Sequence, residues 1–193
     1  MEKVINQNLS WLKVGAMIVH GRPVRAAFLD ARMVRLPAGT KLYKFNTDPT
    51  LYADKKTGNV TPWWSPYNAY DVDPGWQFKL SMARNLNVSI RELGRVTSAI
   101  PEKWNNLKYR VTITLKVDMC VAYGRFKQQA RHEARTVGPE PIKHAPKSHI
   151  GSFQPEGQGK TANLPGGGRQ FFIPNLKREY YGGRESNISL LGL

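Results

Sequence analysis

The chain has 193 residues, 40% of them hydrophobic and 10% aromatic, which fits one folded domain around a single core and excludes both a disordered chain and a second full domain. Lys and Arg number 29 against 14 acidic residues, a net charge of +15; such a surface attracts anions, phosphates first among them, although charge alone does not choose between nucleic acid, nucleotide and membrane. The single cysteine, Cys120, excludes an intrachain disulfide and a four-thiolate zinc site.

In chain order, residues 1–35 set short apolar groups (Leu9, Trp11, Leu12, then Met17, Ile18 and Val19) among basic ones, which predicts a helical N-terminal extension running into irregular structure or a short strand. Lys13 splits the only hydrophobic stretch there, and no apolar run approaches the roughly 18 residues of a membrane span. Neither a Sec signal peptide nor a membrane partner is therefore expected. Residues 36–46 place Pro37 and Gly39 before an alternating run, Leu42 and Lys44 on one side and Tyr43 and Phe45 on the other, the pattern of a strand. Residues 47–62, rich in Asp, Asn, Gly, Lys and Pro, are too polar to build a core and read as a loop long enough to rim a binding site. Trp63, Trp64 and Ser65 stand between Pro62 and Pro66, which favours an extended segment leading into a cleft.

Residues 76–84 read as a helix. Ser89 and Glu92 have capping-box spacing, and Ile90, Leu93 and Val96 then line one face, so a second helix is expected to run to about Ala99. Tyr109, Val111, Ile113, Leu115 and Val117 alternate with Arg110, Thr112, Thr114, Lys116 and Asp118, the period of two of a half-buried strand. Residues 127–147 turn polar and basic and predict a charged helix or loop followed by a proline-marked connector. Residues 151–168 are glycine-rich, and Gln170 to Ile173 reads as a strand stopped by Pro174.

Several local signals have plainer readings. Gly159-Lys160-Thr161 lacks the first glycine of a phosphate loop, whose place Gln154 holds, and no strand leads into it. His20, His132, His144 and His149 lack metal-binding spacing, so no metal site is expected. Cys120 follows a clear strand, where a small thiol packs as core. Trp63, Trp64, Tyr67 and Tyr70 lack the interleaved basic residues of a base-stacking surface, and more plausibly pack or line a cleft.

The most specific segment is Leu164-Pro-Gly-Gly-Gly-Arg-Gln-Phe-Phe-Ile-Pro-Asn175, whose glycines permit close approach of backbone to a ligand. Together with Leu36-Pro-Ala-Gly-Thr-Lys-Leu-Tyr-Lys-Phe45, it resembles the NAD glycohydrolase toxins of the tuberculosis necrotizing toxin type, within the ADP-ribosyltransferase superfamily. In that family an early strand of pattern L-x-R-F-G supplies a basic residue, a tyrosine follows, and a late P-G-G-G-x-Q-Y segment supplies a glutamine; this chain offers Lys44, Tyr52 and Gln170. The superfamily's wider pattern adds a Ser or Thr on a middle strand, a place Ser65 can fill. Lysine replaces the usual arginine, giving up bidentate geometry for a point charge, and Asn46 stands where glycine is usual.

The resemblance implies an α+β fold of split, mostly antiparallel sheets with flanking helices and a NAD cleft between them, one NAD-consuming toxin domain spanning residues 1–193. It implies NAD as substrate, with NADP open, cleaved at the nicotinamide–ribose bond. Lys44 and Phe45, with Gly167 and Gly168, would border the cofactor; Tyr52 or Trp64 would stack on the nicotinamide; Ser65 would steady that end; and Gln170 would hydrogen-bond the ribose. A neutral amide in place of a late-strand glutamate leans towards hydrolysis, while Glu156 or Glu179 supplying a carboxylate would favour ADP-ribose transfer to a nucleic acid or protein acceptor. A toxin of this kind implies delivery by an injection apparatus, action in a target-cell cytoplasm and a neutralising immunity protein. A non-enzymatic, basic nucleic-acid-binding protein is the remaining reading.

Overall fold

Period-two alternation, the strongest local signal in the chain, becomes its dominant structure. The computed structural model describes residues 4–19, 21–102, 104–130 and 163–190. Within them run α1 (Trp11–Ala16), a hairpin of β1 (Ile18–Val19) and β2 (Arg22–Pro23), a 3-10 turn at Val24–Ala27, β3 (Phe28–Leu36), β4 (Lys41–Asn46), β5 (Trp63–Pro66), α2 (Gly75–Asn85) and α3 (Ile90–Ser98). They continue through β6 (Tyr109–Leu115), β7 (Met119–Phe126), β8 (Gln129–Ala130), β9 (Asn163–Leu164), β10 (Arg169–Phe172), a 3-10 turn at Arg178–Tyr180 and β11 (Tyr181–Ser189). The architecture is α+β, with antiparallel sheets and few helices.

Seven strands lie side by side in the order β11-β6-β4-β5-β10-β7-β3. The shortest, β5, serves two neighbours with different halves of its length: Trp63 and Trp64 pair with Phe172 and Phe171 of β10, whereas Ser65 and Pro66 pair with Tyr43 and Leu42 of β4. The sheet divides at β5 as a result, and β4 parts from it beyond Tyr43. Tyr43 also faces Thr112 of β6, and Gln170 faces Gly124 of β7. Carrying the Phe171–Trp64 register one residue further sets Gln170 against Ser65. Directly opposed residues project from the same face of a sheet, so Gln170, Ser65, Tyr43 and Thr112 form one row across four strands.

On the other face, Leu42, Trp64, Val111, Ile113, Val121, Tyr123 and Phe171 are buried in one cluster. Both halves of the divided sheet contribute to it, so both wrap one core. On the row's own face, one cluster gathers Phe28, Phe126 and Phe172 with Val14 of α1, and another gathers Tyr43, Phe45, Trp76 and Ile90 beneath α2 and α3. The helix α3 starts as its capping spacing predicts, the Ser89 hydroxyl accepting the Glu92 N–H at 3.1 Å, and it stops at Ala99 in the left-handed conformation, φ 47°. At α2, the Asp73 carboxylate accepts the Gly75 N–H and binds Lys79 Nζ, both at 2.8 Å.

Three expectations change. Residues 1–35 hold the expected helix and short strand, as α1 and β1, but form no separate extension: Ile5 and Val14 enter the cores, and β3 pairs with β7 from Phe28 to Leu36. The polar segment 47–62 sends Leu51 and Val60 into the main core. Cys120 lies within β7, half-buried, and does not follow the strand. The expectations for residues 131–162, with Gly159-Lys160-Thr161 and Glu156, and those for all four histidines, His20 included, lie outside the described residues.

Because Asp73 is only 5% exposed and both caps α2 and holds Lys79, Asp73→Ala strands a buried ammonium. The expected loss is about 3–5 kcal/mol, measurable by urea denaturation.

Candidate functional site

Where β4 parts from β5, the row's face opens into a cavity of about 270 Å³. Ser65 and Gln170 line it and are 4% and 6% exposed, so they form its floor. Strand alternation places Trp63, Phe45 and Phe172 on the same face as the row, and Phe45 and Trp63 line the cavity beside Phe126. The Trp63 ring is held edge to face by Phe172 and Phe126, with centroids at 4.8 Å and 5.1 Å, a preferred aromatic geometry. The C-terminal end of α3 contributes Ser98 and Ala99, and the following turn Ile100, Trp104 and Asn105; Val19, Arg22, Pro23 and Val24 cover the cavity from the β1–β2 hairpin and its turn. Gly94 on α3 allows Phe45 to lie against the helix, since a Cβ there would fall 2.3 Å from the ring.

The Gln170 side chain is buried and lines the cavity. Ser65 directly opposes Tyr43 on the neighbouring strand; burial, opposed by Lys79 and reinforced by the charge of Asp73, pushes the Tyr43 phenol above its usual pKa. Behind Tyr43 stands the Lys79–Asp73 pair. Burial lowers the Lys79 ammonium, but Tyr43 and Asp73 more than offset this and leave its pKa raised. Ser65 thus stands beside a neutral phenol, and no carboxylate lines the cavity among the described residues.

The structure separates the remaining expected residues. Phe45 lines the cavity with Ser65 and Gln170. Lys44 also lines it, but alternation along β4 sends its side chain to the opposite face, where Nζ lies 5.9 Å from the centroid of the Trp64 ring and burial lowers its pKa to about 8. Trp64 is not the cleft indole: it is fully buried in the main core, with Nε1–H donated to the Thr61 carbonyl at 2.9 Å. Tyr52 is 72% exposed in the loop and does not reach the cavity. Gly167 and Gly168 do not border it either. The Gly168 N–H bonds the Thr97 carbonyl at 2.8 Å, and a Cβ on Gly168 would fall 2.5 Å from that oxygen, so this glycine docks β10 against the end of α3. Glu179 is exposed on the second 3-10 turn and is not among the lining residues.

Sequence reasoning set Trp63 among cleft aromatics without a site role, kept Tyr43 only as a strand residue, and missed Trp104, Asn105 and Arg22. Trp63 and Tyr43 had a signal, since side chains two apart on a strand share a face and Trp63 has the parity of Ser65. Arg22 had only the Gly21-Arg22-Pro23 turn chemistry. A second hollow, about 320 Å³ between residues 49–51 and the β6–β11 pair, is lined by Lys116 and Arg178 and holds none of the expected residues. Its volume is slightly greater, but convergent polar groups amid aromatic walls mark the first cavity as the site. Among the described residues no cluster of His, Cys, Asp and Glu fits a metal, and no helix is long and apolar enough to cross a membrane. Comparison with protein-family models, with curated proteins and with solved structures finds no match to this chain.

Lys44 yields a test with a definite sign. Its folded pKa, about 8, lies below the value near 10.4 of a free lysine. Folding is therefore penalised while the amine is charged, and the penalty fades as pH rises from 8 towards 10. Lys44→Met is expected to stabilise the protein at pH 7 by about 2–3 kcal/mol, with the advantage over wild type shrinking at pH 10; melting curves at both pH values measure it.

Proposed function

We propose that the chain is a NAD glycohydrolase, splitting the nicotinamide–ribose bond in the cavity at the division of the sheet. The observation that carries this reading is the side-by-side placement of Ser65 and Gln170 on the floor of an aromatic-walled cavity. Their strands β5 and β10 are neighbours to each other, and β5 also adjoins β4, which bears the basic residue. A hydroxyl residue on a middle strand beside an amide residue on a late strand is part of the arrangement that the ADP-ribosyltransferase resemblance predicts, although the basic side chain of β4 is turned to the other face. The divided antiparallel sheet supports a fold of that type.

In this reading the nicotinamide ring lies against Trp63 and Phe45, and Ser65 hydrogen-bonds its carboxamide end. Gln170 accepts from a ribose hydroxyl through its carbonyl oxygen. As the C–N bond breaks, its electron pair leaves with neutral nicotinamide and positive charge develops on the ribose; stabilising that state more than the ground state is what accelerates the reaction. Water then forms the new C–O bond at the same carbon and loses its proton to solvent, giving free ADP-ribose. A carboxylate that would orient a macromolecular acceptor is missing from the described lining, which favours hydrolysis over transfer. Action as a toxin in a target-cell cytoplasm, with a neutralising immunity protein, completes the proposal.

Incubation of the purified chain with NAD is expected to release nicotinamide and free ADP-ribose in equal amounts. Gln170→Ala should lower kcat about 10²–10³-fold, the scale of losing one positioned transition-state partner, and Ser65→Ala should act mainly on KM. Nicotinamide without matching ADP-ribose would point to transfer instead, and intact NAD would refute the enzyme.

A further inference from the structure

We infer that Arg22, at the tip of the β1–β2 hairpin, binds the diphosphate of the dinucleotide at the cavity mouth, an inference that rests on the NAD reading of the cavity. Among the described residues lining the cavity, two carry cationic side chains, Arg22 and Lys44. The Lys44 amine is turned to the other face, over Trp64, in a desolvated position. Charge of +15 on the whole chain brings anions to the surface but does not place them; Arg22 is exposed, lines the mouth and makes no ion pair among the described residues. Among the described lining residues it is the cation placed to do so.

Size points the same way. At about 270 Å³, the cavity falls just below the range of ligand pockets, roughly 300–1,000 Å³. It encloses a nicotinamide riboside unit rather than a complete dinucleotide. With the riboside on Ser65 and Gln170 at the floor, the diphosphate emerges at the mouth, where the hairpin stands. A guanidinium offers forked donors matched to phosphate oxygens, which the lysine of β4 cannot.

The hairpin is built to hold that position. Gly21 turns it with φ 75°, Val19 pairs with Arg22, and the Val24 N–H bonds the Met17 carbonyl at 2.9 Å while the Val24 side chain is buried beside Val14 and Phe28. The N-terminal segment is thereby a ligand-binding part of the domain. Arg22 contacts only ligand and solvent in this account, so its replacement leaves the fold intact.

The test uses the full chain, Arg22→Ala and Arg22→Lys, titrated with ADP-ribose while tryptophan fluorescence reports from Trp63 and Trp104. Arg22→Ala is expected to weaken ADP-ribose binding about tenfold or more, the scale of a charge-assisted hydrogen bond, with Arg22→Lys intermediate and melting temperatures unchanged. In cleavage assays, Arg22→Ala should raise KM for NAD similarly and leave cleavage of nicotinamide riboside, which has no phosphate, unaltered. Wild-type affinity for ADP-ribose in Arg22→Ala, or no binding by wild type, overturns the inference. Gln170-dependent cleavage indifferent to Arg22 would refute Arg22 alone, whereas Arg22-dependent ADP-ribose binding without NAD cleavage would refute the hydrolase and leave Arg22 in place.

Discussion

The structure turns on a strand too short for both of its neighbours. With four residues, β5 bonds β10 through Trp63 and Trp64 and β4 through Ser65 and Pro66. A longer β5 would keep the three strands zipped together and leave no crevice. Prolines at positions 62 and 66 limit that extension, since proline cannot donate to a ladder. The separation beyond Tyr43 exposes a concavity whose walls are already apolar, because alternation brings Trp63, Phe45 and Phe172 to the same face as Ser65 and Gln170. The helix α3 and the β1–β2 hairpin then enclose it.

Electrostatics divide this region into two zones. Behind the floor, Asp73 and Lys79 neutralise each other beneath Tyr43, leaving a neutral phenol against Ser65. Inside the cavity the described lining carries hydroxyls and amides and no carboxylate, a setting in which a developing cation is met by oriented dipoles rather than by full charge. Among the described lining residues, Arg22 places positive charge at the mouth, while the Lys44 ammonium is turned to the other face. Such a gradient suits a substrate with an anionic middle and an apolar, aromatic end.

Much of the fold was legible because it rests on local rules. Alternation located β4 and β6, capping chemistry located α3, and Pro174 ended β10. The pair Ser65 and Gln170 was also legible, as an ordering of residue types along the chain. What failed required knowledge of which face each side chain takes. Choosing Trp64 over Trp63, and trusting Lys44, ignored the parity that Ser65 imposes on its own and neighbouring strands. The glycines at positions 167 and 168 looked like ligand borders because close approach is what glycine permits; here the approaching group is the α3 backbone. Arg22 and Trp104 come from hairpin and turn segments whose placement is tertiary, and no local pattern announces it.

The claim at the centre of the account is that Ser65 and Gln170 floor a nicotinamide site, and side-chain NMR tests it most directly. Titration with nicotinamide is predicted to shift the Gln170 carboxamide and the Trp63 indole N–H together, while the Trp64 indole N–H, bonded to the Thr61 carbonyl in the core, stays fixed as an internal control. Shifts that bypass Gln170 and Trp63 and gather around Lys116 and Arg178 at the second hollow would contradict it.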